Sequence, residues 1–214
     1  MKFDYSLYLV TDRALSRGRN LLELIQEAVQ GGVTAVQLRE KHCATREFVQ
    51  LARQALTLLQ PLGVPLFIND RLDVALAVGA QGLHVGQEDM HVSDVRHVAA
   101  ERLALGLSVN TLQHCQEAEQ LPVDYLGVGP VFGTQTKQDA KQQLGLEGLL
   151  RIRQASSRTL LGIGGIDSSN AAQVIQAGTD GIAVVSAICA SSSPRQQAKE
   201  LLQIVRAAQE GKNI

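Results

Sequence analysis

Short apolar runs alternate along the chain with stretches in which apolar side chains recur every three or four residues. This is the pattern of buried strands separated by amphipathic helices. The runs predict strands near 6–12, 35–40, 65–70, 82–86, 104–109, 125–131, 159–165 and 181–188. The first helical stretch opens at Asn20 with Glu23 three residues on, a capping-box-like spacing, and places Leu21, Leu24, Ile25, Ala28 and Val29 along one stripe. Further helices are expected at about 45–59, 93–102, 111–120, 145–156, 169–177 and 195–209, with a shorter one at 73–80.

Eight β-then-α units in 214 residues average about 27 residues each, the small end of the size range of an α/β (β/α)8 barrel. The expectation is therefore one TIM-barrel domain over residues 1–214. A doubly wound open sheet is the competitor, but it would hold fewer strands and often carries a glycine fingerprint after its first strand. The first turn here, Thr11-Asp12-Arg13-Ala14-Leu15, has none. Gly32, Gly63, Gly79 and Gly178 stand where a helix ends just before a strand, a place for a left-handed cap. Polar residues gather instead after the strand ends: Arg39-Glu40-Lys41, Asn69-Asp70-Arg71, Gln87-Glu88-Asp89, Ser108 with Asn110, and Thr134-Gln135-Thr136-Lys137. In a barrel that is the catalytic face.

Composition narrows the chemistry. Twenty Lys and Arg against 21 Asp and Glu leave a net charge of −1, so no global field draws the chain onto nucleic acid or anionic lipid. Aromatic content of 3% without tryptophan also disfavours base stacking. The three cysteines, Cys43, Cys115 and Cys189, form no C-x-x-C pair and suit the reduced thiols of a cytoplasmic protein. No signal-peptide pattern and no membrane-length apolar run is present. The expected partners are small molecules, with neither nucleic acid nor membrane, and a homo-oligomer is left open.

In strand two, alternation turns Val36 and Leu38 one way and Gln37, Arg39 and Lys41 the other, toward the barrel mouth. Cations so placed need an anion, either a phosphate-bearing ligand or an internal acid such as Asp70. Asp70 and Asp89 end adjacent strands and could converge on Mg²⁺, which takes one or two carboxylates plus phosphate oxygens; the alternative is that both cap helices. Gly162-Ile163-Gly164-Gly165 and Val184-Val185-Ser186 end strands seven and eight, where barrels frequently bind phosphate, although glycine there could also relieve crowding. The polar segment 133–143 suits a loop closing over substrate, with Thr134, Thr136 and Lys137 as donors. His42, His84, His91, His97 and His114 lack metal-ligand spacing and are assigned to the surface or to structure. Neither G-x-S-x-G nor a Cys/His pairing supports acyl transfer.

In order, YLVTD, VQLREK, LFIND, GLHVGQED, LGLSVN, YLGVGPVFGTQTK, IGGI and GIAVVSAI resemble the thiamine phosphate synthase family from Tyr8 to Ile188. The resemblance implies Mg²⁺-dependent coupling of a pyrimidine diphosphate with a thiazole phosphate. It implies that Gln37, Leu38, Arg39, Glu40, Lys41 and Asn69 hold the pyrimidine diphosphate and that Asp70 and Asp89 bind the metal. Ser108 and Lys137 would touch the same substrate, and Thr134, Gln135, Thr136, Gly165, Val185 and Ser186 would receive the thiazole phosphate. Arg39, Lys41 and Lys137 would be catalytic, stabilising the departing pyrophosphate. A related thiazole phosphate tautomerase shares the barrel but places a histidine in the strand-six turn, where this chain has Gly129-Pro130.

Overall fold

The computed structural model describes residues 3–133 and 143–211. Eight strands close into a parallel barrel in chain order: β1 (Leu7–Val10), β2 (Ala35–Leu38), β3 (Leu66–Asn69), β4 (Gly82–Val85), β5 (Ala104–Val109), β6 (Tyr125–Val128), β7 (Thr159–Ile163) and β8 (Gly181–Val184). The ring shuts where Leu7, Tyr8 and Leu9 pair with Ile182, Ala183 and Val184. Around it lie α1 (Leu21–Gln30), α2 (Thr45–Leu59), α3 (Leu72–Val78), α4 (Val92–Ala99), α5 (Leu112–Ala118), α6 (Gly145–Ala155), α7 (Ala171–Gln176), α8 (Ser186–Cys189) and α9 (Pro194–Glu210). The (β/α)8 architecture expected from the sequence is thus the observed one.

Alternation along each strand sorts side chains into two cores. Val36, Leu38, Ile68, Leu83, Val85 and their counterparts join the apolar faces of the helices in the outer layer. The interior is filled by Tyr8, Phe67 and Tyr125, with Phe3 and Tyr5 packed against them. Ring centroids of Tyr8 and Phe67 stand 5.3 Å apart, and those of Phe67 and Tyr125 5.7 Å apart and nearly perpendicular. Rings this large fit because neighbouring strands give up their side chains. A Cβ on Gly82 would lie 2.1 Å from the Phe67 ring, and one on Gly106 2.1 Å from Tyr125 Cζ.

At the end where strands begin, one device recurs. The residue just before a strand lends its side chain to the N–H of the first or second residue of the preceding strand. Thr34 Oγ1 accepts from Leu7 N–H at 3.0 Å, Gln81 Oε1 from Leu66 at 2.9 Å, Asp124 Oδ2 from Leu105 at 2.7 Å and Asp180 Oδ2 from Leu160 at 2.8 Å. Groups that would otherwise be left without a partner at the barrel's lower edge are satisfied this way. Gly32, Gly63, Gly79 and Gly178 all have positive φ at this end, as the sequence predicts for left-handed caps. The floor is therefore closed by structure, leaving the opposite rim for chemistry.

Two predicted strands end three or more residues early. Residues 181–188 divide into β8 and the short helix α8, with Val185 between them. The run is apolar apart from Gly181 and Ser186 and too short for periodicity to separate a strand from a helix. The run 125–131 stops at Val128 because Gly129-Pro130 follows, and proline lacks the N–H a strand ladder needs.

Candidate active site

The strand-two residues divide as alternation predicts. Gln37 points into the barrel, is 4% exposed, and donates an amide hydrogen to Tyr8 Oη at 3.1 Å. Arg39 and Lys41 follow at the rim. The Arg39 guanidinium lies 3.3 Å from Asp12, and its backbone N–H donates to Thr11 Oγ1. Lys41 donates to Asp70, so the internal ion pair weighed from sequence is present, yet its side chain stays nearly half exposed and open to a ligand. Leu38 is buried in the outer layer and Glu40 is held by Arg13 at 3.1 Å.

Asn69 ends β3, and Asp70 beyond it takes a left-handed φ of +62°, a conformation aspartate tolerates better than most residues. Its N–H is tied to the His84 carbonyl at 2.8 Å, which fixes the turn against β4. Burial pushes the Asp70 carboxyl above its usual range; Lys41 opposes this, and the neighbouring Asp89 adds to it. Asp89 goes the other way. Burial alone would raise it, but the hydrogen bond with Asp70, the Gly86 N–H at 2.8 Å and the charges of Lys41 and His84 together lower it. Opposite shifts in touching carboxyls are the signature of two acids competing for one charge. Neither aspartate caps a helix: α3 has no side-chain cap, and α4 is capped by His91, whose Nδ1 accepts from Ser93 N–H.

Ser108 stands on β5 beside this pair. His84 Nε2 lies 3.0 Å from its hydroxyl, and Gln87 donates to its carbonyl at 2.6 Å. His84 Nδ1 reaches Tyr125 Oη at 3.0 Å. The histidine is thus inside the barrel, within the structural role the sequence allows but connected to site residues in a way the sequence did not disclose. One signal was available: Leu83 and Val85 belong to the helix-facing layer, so period two sends His84 inward. Tyr8 and Tyr125 were missed as polar groups because they sit in apolar strand runs.

The loops after β6 and β7 lock together. Val131 and Phe132 donate N–H groups to Ile163 and Gly164 carbonyls at 2.9 and 3.0 Å. Gly164 and Gly165 have φ of +100° and +64°, and a Cβ on either would fall within 2.7 Å of the 130–133 backbone. Crowding, the structural alternative, is therefore one reason for these glycines, while their bare backbone also lines the rim beside Val185 and Ser186. Thr134, Gln135, Thr136 and Lys137 lie outside the described residues. What the described residues assemble is a polar mouth with cations from β2, a carboxyl pair from β3 and β4, and a hydroxyl from β5.

Residues 7–188 match the family described as thiamine monophosphate synthase. The chain is 51% identical over 201 residues to a thiamine-phosphate synthase of Albidiferax ferrireducens, covering 94% of this chain and 92% of that one. It is 50% identical to one of Syntrophomonas wolfei, covering 94% and 96%. Among solved structures it resembles a thiamine phosphate pyrophosphorylase from Pyrococcus furiosus at 39% identity and a TM-score of 0.89, covering 96% and 97% of the two chains. With a barrel and a sequence that agree with these relatives over nearly the whole length, this chain belongs to the thiamine monophosphate synthase family and is a transferase.

Proposed function

We propose that this protein joins 4-amino-2-methyl-5-(diphosphooxymethyl)pyrimidine to a thiazole phosphate, giving thiamine monophosphate and pyrophosphate. The observation that carries this reading is the touching Asp70–Asp89 pair with Lys41 against it, at a rim that also presents Arg39. That set suits a diphosphate better than a single phosphate, because it offers both direct cations and oxygens for a bridging metal.

The donors fit Mg²⁺. Two hard carboxylate oxygen donors that repel each other gain from a dication between them and substrate. Among the described residues no group of three or more His, Cys, Asp or Glu is arranged as a metal cage, which accords with an ion that takes its remaining ligands from phosphate and water. When bound to Asp70 and Asp89, Mg²⁺ would neutralise charge on the diphosphate oxygens.

The methylene C–O bond breaks first, and the electron pair leaves with pyrophosphate. Arg39 and Lys41, joined by Lys137, meet the negative charge that develops there. The aminopyrimidine carries the positive charge at the methylene until the thiazole nitrogen donates its lone pair and forms the C–N bond. That nitrogen has no proton to lose, so the step needs no general base. Gly165, Val185 and Ser186, with Thr134 to Thr136, hold the thiazole phosphate across the mouth from the diphosphate. Asp89→Ala should abolish turnover at millimolar-scale Mg²⁺ while circular dichroism stays that of the wild type; a mutant still active at low Mg²⁺ would overturn the metal assignment.

A further inference from the structure

We infer that the chain Gln37–Tyr8–Tyr125–His84–Ser108 inside the barrel is a polarity relay that fixes His84 as its Nε2–H tautomer and makes the Ser108 hydroxyl a hydrogen-bond donor to the ligand. Tyr8, Tyr125 and His84 are then positioning residues. The inference rests on the function proposed above, in which Gln37 and Ser108 face the pyrimidine diphosphate.

Polarity follows from the inventory of hydrogens. The Gln37 amide nitrogen has only hydrogens to offer, so Tyr8 Oη accepts from it at 3.1 Å. Either phenol could donate across the 2.9 Å contact between Tyr8 Oη and Tyr125 Oη; because the Gln37 nitrogen accepts nothing, Tyr125 Oη is the acceptor assigned to the Tyr8 hydroxyl hydrogen. Tyr125 in turn donates to His84 Nδ1 at 3.0 Å, which leaves that nitrogen bare in the neutral ring. The proton must sit on Nε2, which donates to Ser108 Oγ at 3.0 Å. Ser108 accepts on the His84 side and keeps its own hydrogen for the mouth. Gln37, with its amide nitrogen committed to Tyr8, presents its carbonyl oxygen as an acceptor at the other end.

Burial keeps both phenols protonated, Tyr8 and Tyr125 each being pushed well above the ordinary range, so neither ionises and reverses the chain. Space for the imidazole has been cleared deliberately. A Cβ on Gly106 would lie 2.5 Å from His84 Nδ1, and one on Gly127 2.9 Å from its Cε1. The five residues come from five different strands, β2, β1, β6, β4 and β5, and apolar side chains would fill the same volume without the cost of burying polar groups. A chain that runs from Gln37, turned into the barrel, to Ser108 on β5 is explained by orientation of those two ends.

Two measurements on the full-length protein decide this. In the ligand-free protein with ¹⁵N-labelled histidine, at a pH where the imidazole is neutral, two-bond ¹H–¹⁵N correlations assigned with His84→Gln should show His84 with its proton on Nε2. A proton on Nδ1 would overturn the relay. In turnover assays Tyr125→Phe should lose about fivefold in kcat/KM in the wild-type background, the scale of one net hydrogen bond. In a Ser108→Ala background the same change should cost less than about twofold, because the two act as one unit. Equal losses in both backgrounds would mean that Tyr125 is only packing. Should the wild type form no thiamine monophosphate, the proposed function fails, and the tautomer spectrum still decides the relay.

Discussion

Asp70 and Asp89 touch, and Lys41 lies against Asp70. Placing a cation beside two acids lowers their mutual repulsion and leaves Lys41 able to exchange one anionic partner for another, since its side chain is 45% exposed. Lys41→Met keeps the length of the stem and removes the charge; turnover should fall about 10²–10³-fold, the usual cost of losing one preorganised group at a site of developing charge. A rise confined to KM, with kcat unchanged, would instead mark Lys41 as a binding group with no role at the leaving pyrophosphate. At this scale the sequence was informative where period two met charge, which is why Gln37, Arg39 and Lys41 could be placed at the mouth in advance. For His84, alternation with Leu83 and Val85 gives the inward direction but not the partners. Its partners Tyr125 and Ser108 are 41 and 24 residues away, and only closure of the barrel makes them neighbours. Nor could spacing decide whether Asp70 and Asp89 cap helices, because that depends on the turn Asp70 makes at positive φ and on His91 taking the cap of α4.

Strands and helices were readable wherever amphipathic periodicity ran to a clear stop. The β5 and α2 boundaries, 104–109 and 45–59, coincide with expectation because Asn110 and Leu59–Gln60 end the runs sharply. The β8 to α8 passage was not, because Val184 to Ile188 is apolar apart from Ser186 and carries no stop signal. The lower edge of the barrel depends on side chains that stand in for backbone partners, and Asp124 is one of them. It accepts from Leu105 N–H at 2.7 Å and pairs with Arg96, whose guanidinium also reaches the carbonyls of Pro122, Ala100 and Leu103. Asp124→Ala should therefore cost about 1–3 kcal/mol of stability in urea denaturation, with the m-value unchanged and the rim chemistry intact. A loss of turnover at full stability would show that the two ends of the barrel are not independent.

For the whole molecule, the balance of charge leaves local groups to set the response to pH. Burial pushes the Cys189 thiol up to about 11 and raises that of Cys115 as well. Unfolding restores ordinary thiol pKa values, so between the ordinary range and about 11 the folded chain binds more protons than the unfolded one, and stability falls as pH rises. The contribution is complete below the ordinary thiol range and is lost as pH climbs through the folded value. Thermal denaturation from neutral to strongly alkaline pH should show this decline, and a Cys189→Ala, Cys115→Ala double variant should show less of it; an identical decline would assign it to other groups. No helix among the described residues is long and apolar enough to cross a membrane. The central claim, Mg²⁺-dependent coupling of two phosphorylated precursors at the barrel mouth, is tested most directly by incubating the purified protein with both. Pyrophosphate and thiamine monophosphate are then followed together, with Mg²⁺ or with chelator. Equal, Mg²⁺-dependent release of both products is the predicted result; tight binding of the thiazole phosphate with no product under either condition would contradict it.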